Sequence, residues 1–389
     1  MIRIGINTLA LVPNRSGGDA TYTRYLVEHL AKIDHHNRYY LFVAPYNREW
    51  FDIRQPNFRQ VLCPLPNNFS LRALYEHSGL WLSANQMPLD VFHGPVNITP
   101  FFLRHPSMIT IHDAVYRRKD QHIPLPLSLY WRVVRPRSVK RAERIIVVSE
   151  TNRQELIAMG AVPPERVSVV YNGVHERFRP LDSAASRAWA SSEHGLNQPF
   201  VLWVGRPYAN KNPVRMIEAF ATFNKHNENR FVLALAGPTG WEDPALREAV
   251  ARTNVGPHLR QLGYIDNTQL PRLYNAAEAL LFPSLHESFG IPIVEAMACG
   301  TPVVTSNVSG IPEITGDAAQ LVDPLNIQAI ADGLEAVLCH RERWQELRTR
   351  GLVRAQRFSW PENARRTLAL YEQIAGNIPS LSRASGGDV

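Results

Sequence analysis

The order of apolar runs along the chain limits the fold more than any other feature of the sequence. Short β-branched runs alternate with stretches whose apolar residues recur every three or four positions, and the alternation restarts after a proline-containing segment, VHERFRPLDSAAS. This alternation predicts parallel sheets with helices on both faces. At 389 residues the chain is long for a single core, so the sequence predicts two doubly wound α/β domains.

The domain limits follow from where the strand-like runs stop and restart. The first set is IRIGIN, YYLFVA, VFHG, SMITIHD, RIIVVSE and RVSVVYNG, and the second is FVLWVG, FVLALAG, LRQLG, ALLFPS, TPVVTS and AAQLVD. We therefore expect domains at 1–178 and 179–359. A helix opened by Trp-Pro follows at 360–378, and the small and polar residues of 379–389 predict a disordered tail.

Composition indicates an ordinary globular protein, with 45% hydrophobic and 20% charged residues. The net charge of +7 suits an anionic substrate or lipid surface and is too small for its length to indicate nucleic acid binding. Three cysteines without a CxxC pair indicate reduced thiols rather than a disulfide framework or a zinc site. No signal segment or run of 18 apolar residues occurs, so we expect a cytoplasmic protein.

Candidate binding residues follow strands, where open parallel sheets bind their ligands. Arg206 and Lys211 stand in the loop VGRPYANKNP after FVLWVG. A guanidinium and an ammonium from one loop suit a diphosphate. The alternative is a solvated basic loop.

The segment HESFGIPIVEAMACG places Glu287 before a turn and Glu295 within an apolar run. A helix that begins near Gly290–Pro292 offers free N–H groups to an anion, and glycine lets a ligand approach the backbone closely. A carboxylate one turn into such a helix is favoured by the helix dipole. The alternatives are an exposed loop charge for Glu287 and a helix-capping acid for Glu295.

Three further features carry weaker signals. His112 and Asp113 end a strand, where the histidine is either catalytic or structural. His93 has the same position with a stronger structural explanation. Gly17 and Gly18 precede the first helix. Their loop can bring backbone amides to an anion, and a tight turn explains the two adjacent glycines equally well. No GxGxxG or GxxxxGK[ST] motif occurs, which argues against a dinucleotide-binding dehydrogenase and a P-loop NTPase.

Residues 130–144, YWRVVRPRSVKRAER, carry six Lys and Arg residues against one Glu. A solvated helix face explains them, and the alternative is a surface attracted to anionic lipid.

Taken together these motifs resemble a known family. GRPYANK, HESFGIPIVEAMACGTPVV and SGIPE look like the donor-domain motifs of retaining GT-B glycosyltransferases, specifically glycosyltransferase family 4. The resemblance extends to the Gly-Gly loop, TIHDA, VVSE, YNGV and FSWPENA. It implies two facing Rossmann-like domains with a cleft between them, an N-terminal acceptor domain, a C-terminal donor domain, and a final helix that packs back on the first domain.

The resemblance also implies roles for individual residues. Arg206 and Lys211 neutralise the donor diphosphate, Glu295 binds the ribose, Glu287 binds hydroxyls of the transferred sugar, and His112 faces that sugar near the reacting carbon. The catalytic candidates are His112, Arg206, Lys211 and Glu287; the donor-binding candidates are Gly17, Gly18, Arg206, Lys211, Glu287, Ser288, Phe289, Gly290, Ile291 and Glu295. One departure is Asn212-Pro213 where the family often has glycine after the lysine.

The function implied is transfer of a sugar with retention, with GDP-mannose as the expected donor and a saccharide or lipid-linked saccharide as the acceptor in surface glycan synthesis. Alternatives are a UDP-sugar donor, a GT-B sugar-nucleotide epimerase and a non-catalytic partner subunit that binds sugar nucleotide. No cofactor or metal is expected, since the two basic residues supply the charge that a metal would. The mechanism usually discussed for this family is front-face attack assisted by the leaving phosphate.

Overall fold

The computed structural model describes residues 1–12, 17–113, 125–160, 162–238 and 240–376. They form two compact units, one containing the described residues up to Gly173 and from Ser359, the other Val174–Phe358. The predicted domains, 1–178, 179–359 and 360–378, stay a prediction, because compact packing alone does not define a folding unit. The predicted disordered tail, 379–389, lies outside the described residues.

Strands and helices alternate through both units. In chain order the strands are β1 (Arg3–Asn7), β2 (Arg38–Val43), β3 (Phe58–Leu62), β4 (Val91–Gly94), β5 (Ser107–Ile111), β6 (Arg144–Val147), β7 (Val167–Val169), β8 (Phe200–Val204), β9 (Val232–Ala236), β10 (Leu259–Gly263), β11 (Ala279–Phe282), β12 (Val303–Ser306) and β13 (Gln320–Val322). The helices are α1 (Gly18–Ile33), α2 (Phe69–Glu76), α3 (Gly79–Asn85), α4 (Leu125–Arg141), α5 (Glu150–Ala158), α6 (Ser183–His194), α7 (Pro213–His226), α8 (Pro244–Thr253), α9 (Leu270–Ala276), α10 (Ile291–Cys299), α11 (Ile311–Thr315), α12 (Ile327–Leu338), α13 (Arg341–Ala355) and α14 (Trp360–Gly376).

Each unit is built on one parallel sheet. Over the described residues the strand order is β3-β2-β1-β4-β5-β6-β7 in the first unit and β10-β9-β8-β11-β12-β13 in the second. Every strand pair is parallel. The order reverses direction between β1 and β4 and again between β8 and β11, which are the topological switch points of a doubly wound sheet. The predicted fold class is confirmed.

The last helix completes the core of the first unit. Trp360 and Tyr371 of α14 are fully buried in the cluster that also contains residues of β1, β2 and α1. The Trp360 ring lies 5.4 Å from that of Tyr25, centroid to centroid. The predicted C-terminal helix that packs on the first domain is therefore confirmed.

His93 has a structural role in this core. It is completely buried, with Nδ1 hydrogen-bonded to the Tyr371 hydroxyl at 2.7 Å and Nε2 to the Thr110 hydroxyl at 2.9 Å. Burial lowers its pKa to about 3, so the ring is neutral and links β4 to β5 and α14.

Candidate active site

The candidate donor residues lie at the switch point of the second sheet. Arg206 and Lys211 follow β8, and Glu287 follows β11. These two strands are hydrogen-bonded neighbours, and the sheet continues from them in opposite directions. Because parallel strands end at the same edge, the sequence brings these loops together above the crevice where open α/β sheets bind ligands.

Lys211 and Glu287 form an ion pair across this crevice. The ammonium contacts Oε1 of Glu287, and the two side chains are 21% and 12% exposed. The Lys211 nitrogen also lies 5.1 Å from the centroid of the Phe282 ring. Close by, the Leu285 N–H donates to the Asn210 carbonyl at 2.8 Å. A backbone hydrogen bond and an ion pair therefore join the two loops, and they place a cation beside a carboxylate.

Asn212 fixes the path of the basic loop into α7. Its backbone is left-handed, with φ 58° and ψ 40°, a conformation that glycine and asparagine adopt most readily. Its buried side-chain amide donates to the carbonyls of Pro283, at 3.1 Å, and Pro324, at 2.7 Å. Asparagine thus adopts the conformation for which glycine is otherwise suited and adds two hydrogen bonds, which accounts for the departure from the family pattern.

Helix α10 begins where the sequence predicted. Gly290 precedes it with φ 82°, a conformation that strains residues with a side chain. Ser288 is 7% exposed, and its Oγ has no hydrogen-bond partner among the residues that the structure describes. Phe289 is buried and packs edge-on against Phe358, 5.3 Å between centroids. The helix N-terminus and the serine hydroxyl therefore both offer donors to an anionic ligand.

Glu295 lies within α10 and is 8% exposed. Its Oε2 accepts a hydrogen bond from the Tyr274 hydroxyl at 3.0 Å. Burial raises the pKa of Glu295 to about 8, although the Tyr274 hydrogen bond and the charge of Arg177 act to lower it. The site therefore holds a carboxyl group that is costly to ionise and suited to hydroxyl partners.

The SGIPE motif supports the Glu287 loop from behind. The Gly310 N–H donates to the Glu287 carbonyl at 2.9 Å. A Cβ at Gly310 would lie 2.5 Å from the Ser288 carbonyl oxygen, so only glycine fits without moving the loop. The backbone of Ser309 is left-handed, with φ 60°. Its hydroxyl hydrogen-bonds Nδ1 of His286.

His112 lies at the carboxyl edge of the first sheet, after β5. Its ring nitrogen Nε2 hydrogen-bonds the Pro95 carbonyl at 2.8 Å, and its ring packs edge-on against Tyr22. Its backbone N–H donates to Asn97 Oδ1 at 3.3 Å. A carbonyl accepts only, so Nε2 carries the proton. Burial lowers the pKa of His112, against the opposing charge of Asp19, which favours an uncharged imidazole.

Gly17 and Gly18 are exposed at the start of α1. A Cβ at Gly17 would meet nothing within 4 Å, so packing within the described residues does not require glycine there. The role of these residues as donor contacts stays a prediction, as does that of His112.

Two residues of the site were missed from the sequence. Tyr274, 21 positions earlier in the chain, donates a hydrogen bond to Glu295, and the charge of Arg177 acts on that carboxyl group to lower its pKa. Neither contact follows a local spacing rule, so only the buried position of Glu295 in an apolar run indicated that some partner was needed.

Among the described residues, no three His, Cys, Asp or Glu side chains come together in a group that could hold a metal ion. Nor is any helix in that part of the chain both long and apolar enough to cross a membrane.

Comparison with known proteins agrees with this geometry. Residues 16–178 match the model of Glycosyltransferase Family 4, and residues 188–352 match that of Glycosyl transferases group 1. The chain is 31% identical to O-antigen chain mannosyltransferase B of Escherichia coli over 73% of its own length and 74% of that protein. It is 29% identical to the longer serotype-specific mannosyltransferase WbdA of the same organism, over 66% of this chain and 32% of WbdA.

Solved structures show the same fold. Sucrose-phosphate synthase from Thermosynechococcus elongatus superposes with a TM-score of 0.77 at 20% identity, covering 97% of this chain and 100% of that one. Anabaena HepE in complex with UDP and glucose superposes with a TM-score of 0.75 at 18% identity, covering 96% of this chain and 100% of that one. At these identities the likeness shows the GT-B fold alone.

Proposed function

The chain belongs to glycosyltransferase family 4, and we propose that it transfers mannose from GDP-mannose to a saccharide or lipid-linked saccharide, with retention of configuration. Its similarity to a mannosyltransferase of O-antigen chains supports the choice of sugar. The observation that carries the proposal is the Lys211–Glu287 pair at the switch point of the second sheet. This pair places a cation suited to a diphosphate beside a carboxylate suited to sugar hydroxyls.

In this proposal the donor diphosphate binds Arg206 and Lys211. Negative charge grows on the diphosphate as the glycosidic bond breaks, and fixed positive groups stabilise it in the transition state. Glu287, released from its ion pair, accepts hydrogen bonds from hydroxyls of the sugar, and Glu295 accepts those of the ribose. The remaining donor contacts are Gly17, Gly18, Ser288, Phe289, Gly290 and Ile291.

Retention proceeds because the acceptor hydroxyl attacks the sugar from the same face from which the diphosphate departs. An oxygen of the departing phosphate takes the hydroxyl proton. His112 contributes an uncharged ring near the reacting carbon. The anomeric configuration of the product, measured by NMR from an α-linked donor, tests this step, and a β-linked product contradicts it.

We further propose that the reaction needs no divalent metal, because Arg206 and Lys211 supply positive charge to the diphosphate. Full activity in EDTA supports this, and strict dependence on Mg²⁺ or Mn²⁺ contradicts it.

The test of function is release of nucleoside diphosphate from a panel of GDP- and UDP-sugars, with and without saccharide acceptors. Release from GDP-mannose that increases with acceptor is the expected result. A UDP-sugar is the second candidate donor, since HepE has been crystallised with UDP and glucose. Consumption of UDP-N-acetylglucosamine without an acceptor would indicate an epimerase, and no turnover of any donor would indicate a non-catalytic subunit.

We also propose that the protein works at the inner face of a membrane and contacts anionic lipid through 130–144. In α4, Arg132, Arg137 and Lys140 are exposed, whereas Arg135 is 5% exposed and donates to the Asp113 carbonyl. Large apolar side chains are also exposed: Val133 on α4 itself, Leu71 and Leu74 on α2, which contacts α4 through Phe69 and Tyr130, Leu82 on α3, and Phe102 in the loop before β5. Apolar groups beside basic ones suit the surface of an anionic bilayer.

Replacing Arg132, Arg137 and Lys140 by glutamine tests the lipid contact. Each basic residue contributes about 1 kcal/mol at an anionic surface. The affinity for phosphatidylglycerol vesicles, measured by sedimentation, should therefore fall on the order of 100-fold. Activity toward a water-soluble acceptor should stay unchanged. The matched control replaces the exposed Lys32, Arg38 and Arg59 by glutamine. Equal vesicle binding by the two triple variants contradicts the proposal.

A further inference from the structure

We infer that the crevice at the carboxyl ends of β1 and β4 binds the acceptor saccharide, with Glu76 as the side chain that accepts hydrogen bonds from its hydroxyls. The inference rests on the proposed function. The crevice is the switch point of the first sheet, since β1 and β4 are paired and the strand order reverses between them. Ligands of open α/β sheets bind at such points.

Glu76 reaches this crevice from the end of α2. It is 3% exposed, and the side chain of Asn7, the last residue of β1, lies near enough to its carboxyl group to help lower the pKa of that group. Oε2 also accepts from the Tyr130 hydroxyl at 3.2 Å. Oε1 has no hydrogen-bond partner among the residues that the structure describes. A buried acceptor without a donor is costly, and an incoming hydroxyl would satisfy it.

Aromatic rings lie around Tyr130, the residue that donates to the carboxylate. The His77 ring stacks on Phe101 with 4.0 Å between centroids, and Tyr130 packs edge-on against Phe69 at 5.9 Å. His77 also has a buried Nδ1 that lacks a partner within the described part of the chain. Aromatic walls with a few convergent polar groups are typical of small-molecule sites, and they suit the apolar face and the hydroxyl edge of a sugar.

The carboxylate of Glu76 itself favours an uncharged ligand over an anionic one. Burial raises the pKa of Glu76 to about 7, while the charge of Arg72 and the hydrogen bonds of Tyr130 and Asn7 act to lower it. Burial lowers the pKa of His77 to about 4, so that ring is neutral. Above pH 7 the carboxylate is ionised and accepts only; it therefore suits sugar hydroxyls and repels a phosphate.

His112 lies on the other side of the same crevice. It follows β5, and its Nε2 is bonded to the carbonyl of Pro95, the residue directly after β4. Neighbouring strands lie about 4.8 Å apart, so an acceptor at the ends of β1 and β4 reaches both Glu76 and the histidine proposed to act near the reacting carbon.

The experiment uses the full chain and octyl glycosides as uncharged acceptor probes, with mannose 6-phosphate as the anionic comparison. Saturation-transfer NMR measures binding, and donor turnover measures the acceptor KM. Glu76→Gln keeps the size of the side chain but removes its charge. We expect it to weaken binding of the preferred octyl glycoside and to raise its KM about tenfold or more.

The control is Glu49→Gln, which removes an exposed carboxylate of the same unit and should change neither constant. Unchanged octyl glycoside binding by Glu76→Gln, or wild-type protein that binds mannose 6-phosphate but no octyl glycoside, overturns the inference. If no donor turns over, the proposed function fails, while the NMR measurement still decides whether this crevice binds sugar. Thermal unfolding of each variant excludes loss of the fold.

Discussion

Lys211 contributes both to the stability of the ligand-free protein and to catalysis, and a single substitution would change both. Its ammonium neutralises Glu287 in the ligand-free protein, and we propose that it stabilises the leaving diphosphate during the reaction. Lys211→Met should lower kcat by about 10²–10³, with a smaller loss of donor affinity. It should also destabilise the fold by about 1–3 kcal/mol, because it leaves the Glu287 carboxylate without its counter-charge.

The double variant Lys211→Met/Glu287→Gln separates these contributions. It should regain the stability, measured by chemical denaturation, without regaining kcat. Recovery of kcat in the double variant would show that Lys211 serves only as a structural partner. Equal losses of kcat and donor affinity in Lys211→Met would indicate plain phosphate binding.

Glu295 lowers stability at alkaline pH. Burial raises its pKa to about 8 from an ordinary value of 4.5. The folded carboxyl therefore holds its proton longer than the unfolded one, and the resulting stability is complete below about pH 4.5 and lost as the pH rises through 8. Glu295→Gln cannot ionise. Its free energy of unfolding should equal that of wild type near pH 5 and exceed it by about 2–4 kcal/mol at pH 9.

Thermal denaturation from pH 5 to 9 measures this difference, with the exposed Glu193→Gln as control. The same substitution should weaken donor binding about tenfold at pH 9, where Glu295 is ionised, since an amide accepts less well than a carboxylate from two ribose hydroxyls. Parallel stability profiles for Glu295→Gln and wild type would contradict a protonated Glu295.

At the scale of elements, the start of α7 depends on Asn212. Asn212→Gly keeps the left-handed backbone but removes the hydrogen bonds to the carbonyls of Pro283 and Pro324, which should cost about 1–3 kcal/mol. Asn212→Ala should cost about 1 kcal/mol more because it also strains the backbone. Urea denaturation measures both. Asn254, left-handed and exposed at the end of α8, is the control.

Asn254→Gly should change stability by no more than about 0.5 kcal/mol. If Asn212→Gly is equally neutral, its side-chain amide does not stabilise the loop.

The elements that the sequence predicts best are those with apolar runs. FVLWVG and ALLFPS correspond to β8 and β11, and the Trp-Pro helix corresponds to α14. β3 was missed, because FRQVL is an edge strand with mostly exposed side chains and no apolar run. The contacts of Glu76 with Tyr130 and of Glu295 with Tyr274 join residues 54 and 21 positions apart. They depend on helix packing, which periodicity does not specify.

At the scale of the whole molecule, the two units differ in how the chain builds them. Among the described residues the second is one continuous segment, Val174–Phe358, whereas the first needs residues from both ends of the sequence. A Cβ at Gly173 would lie 2.3 Å from the Trp360 backbone nitrogen, so the end of the first segment and the start of α14 are packed directly against each other. The fold of the first unit therefore depends on its last helix.

Trp360→Ala should destabilise the first unit selectively. Trp360 is fully buried against Tyr25 and Tyr22, and removing such a side chain costs about 3–5 kcal/mol. Hydrogen exchange should show faster exchange of amides in β1, β2 and α1, with those of β8, β9 and β11 unchanged. Arg365→Ala, exposed on the same helix, should leave both sets unchanged. Equal acceleration in both units would mean that they unfold as one cooperative body, and that α14 stabilises the whole chain.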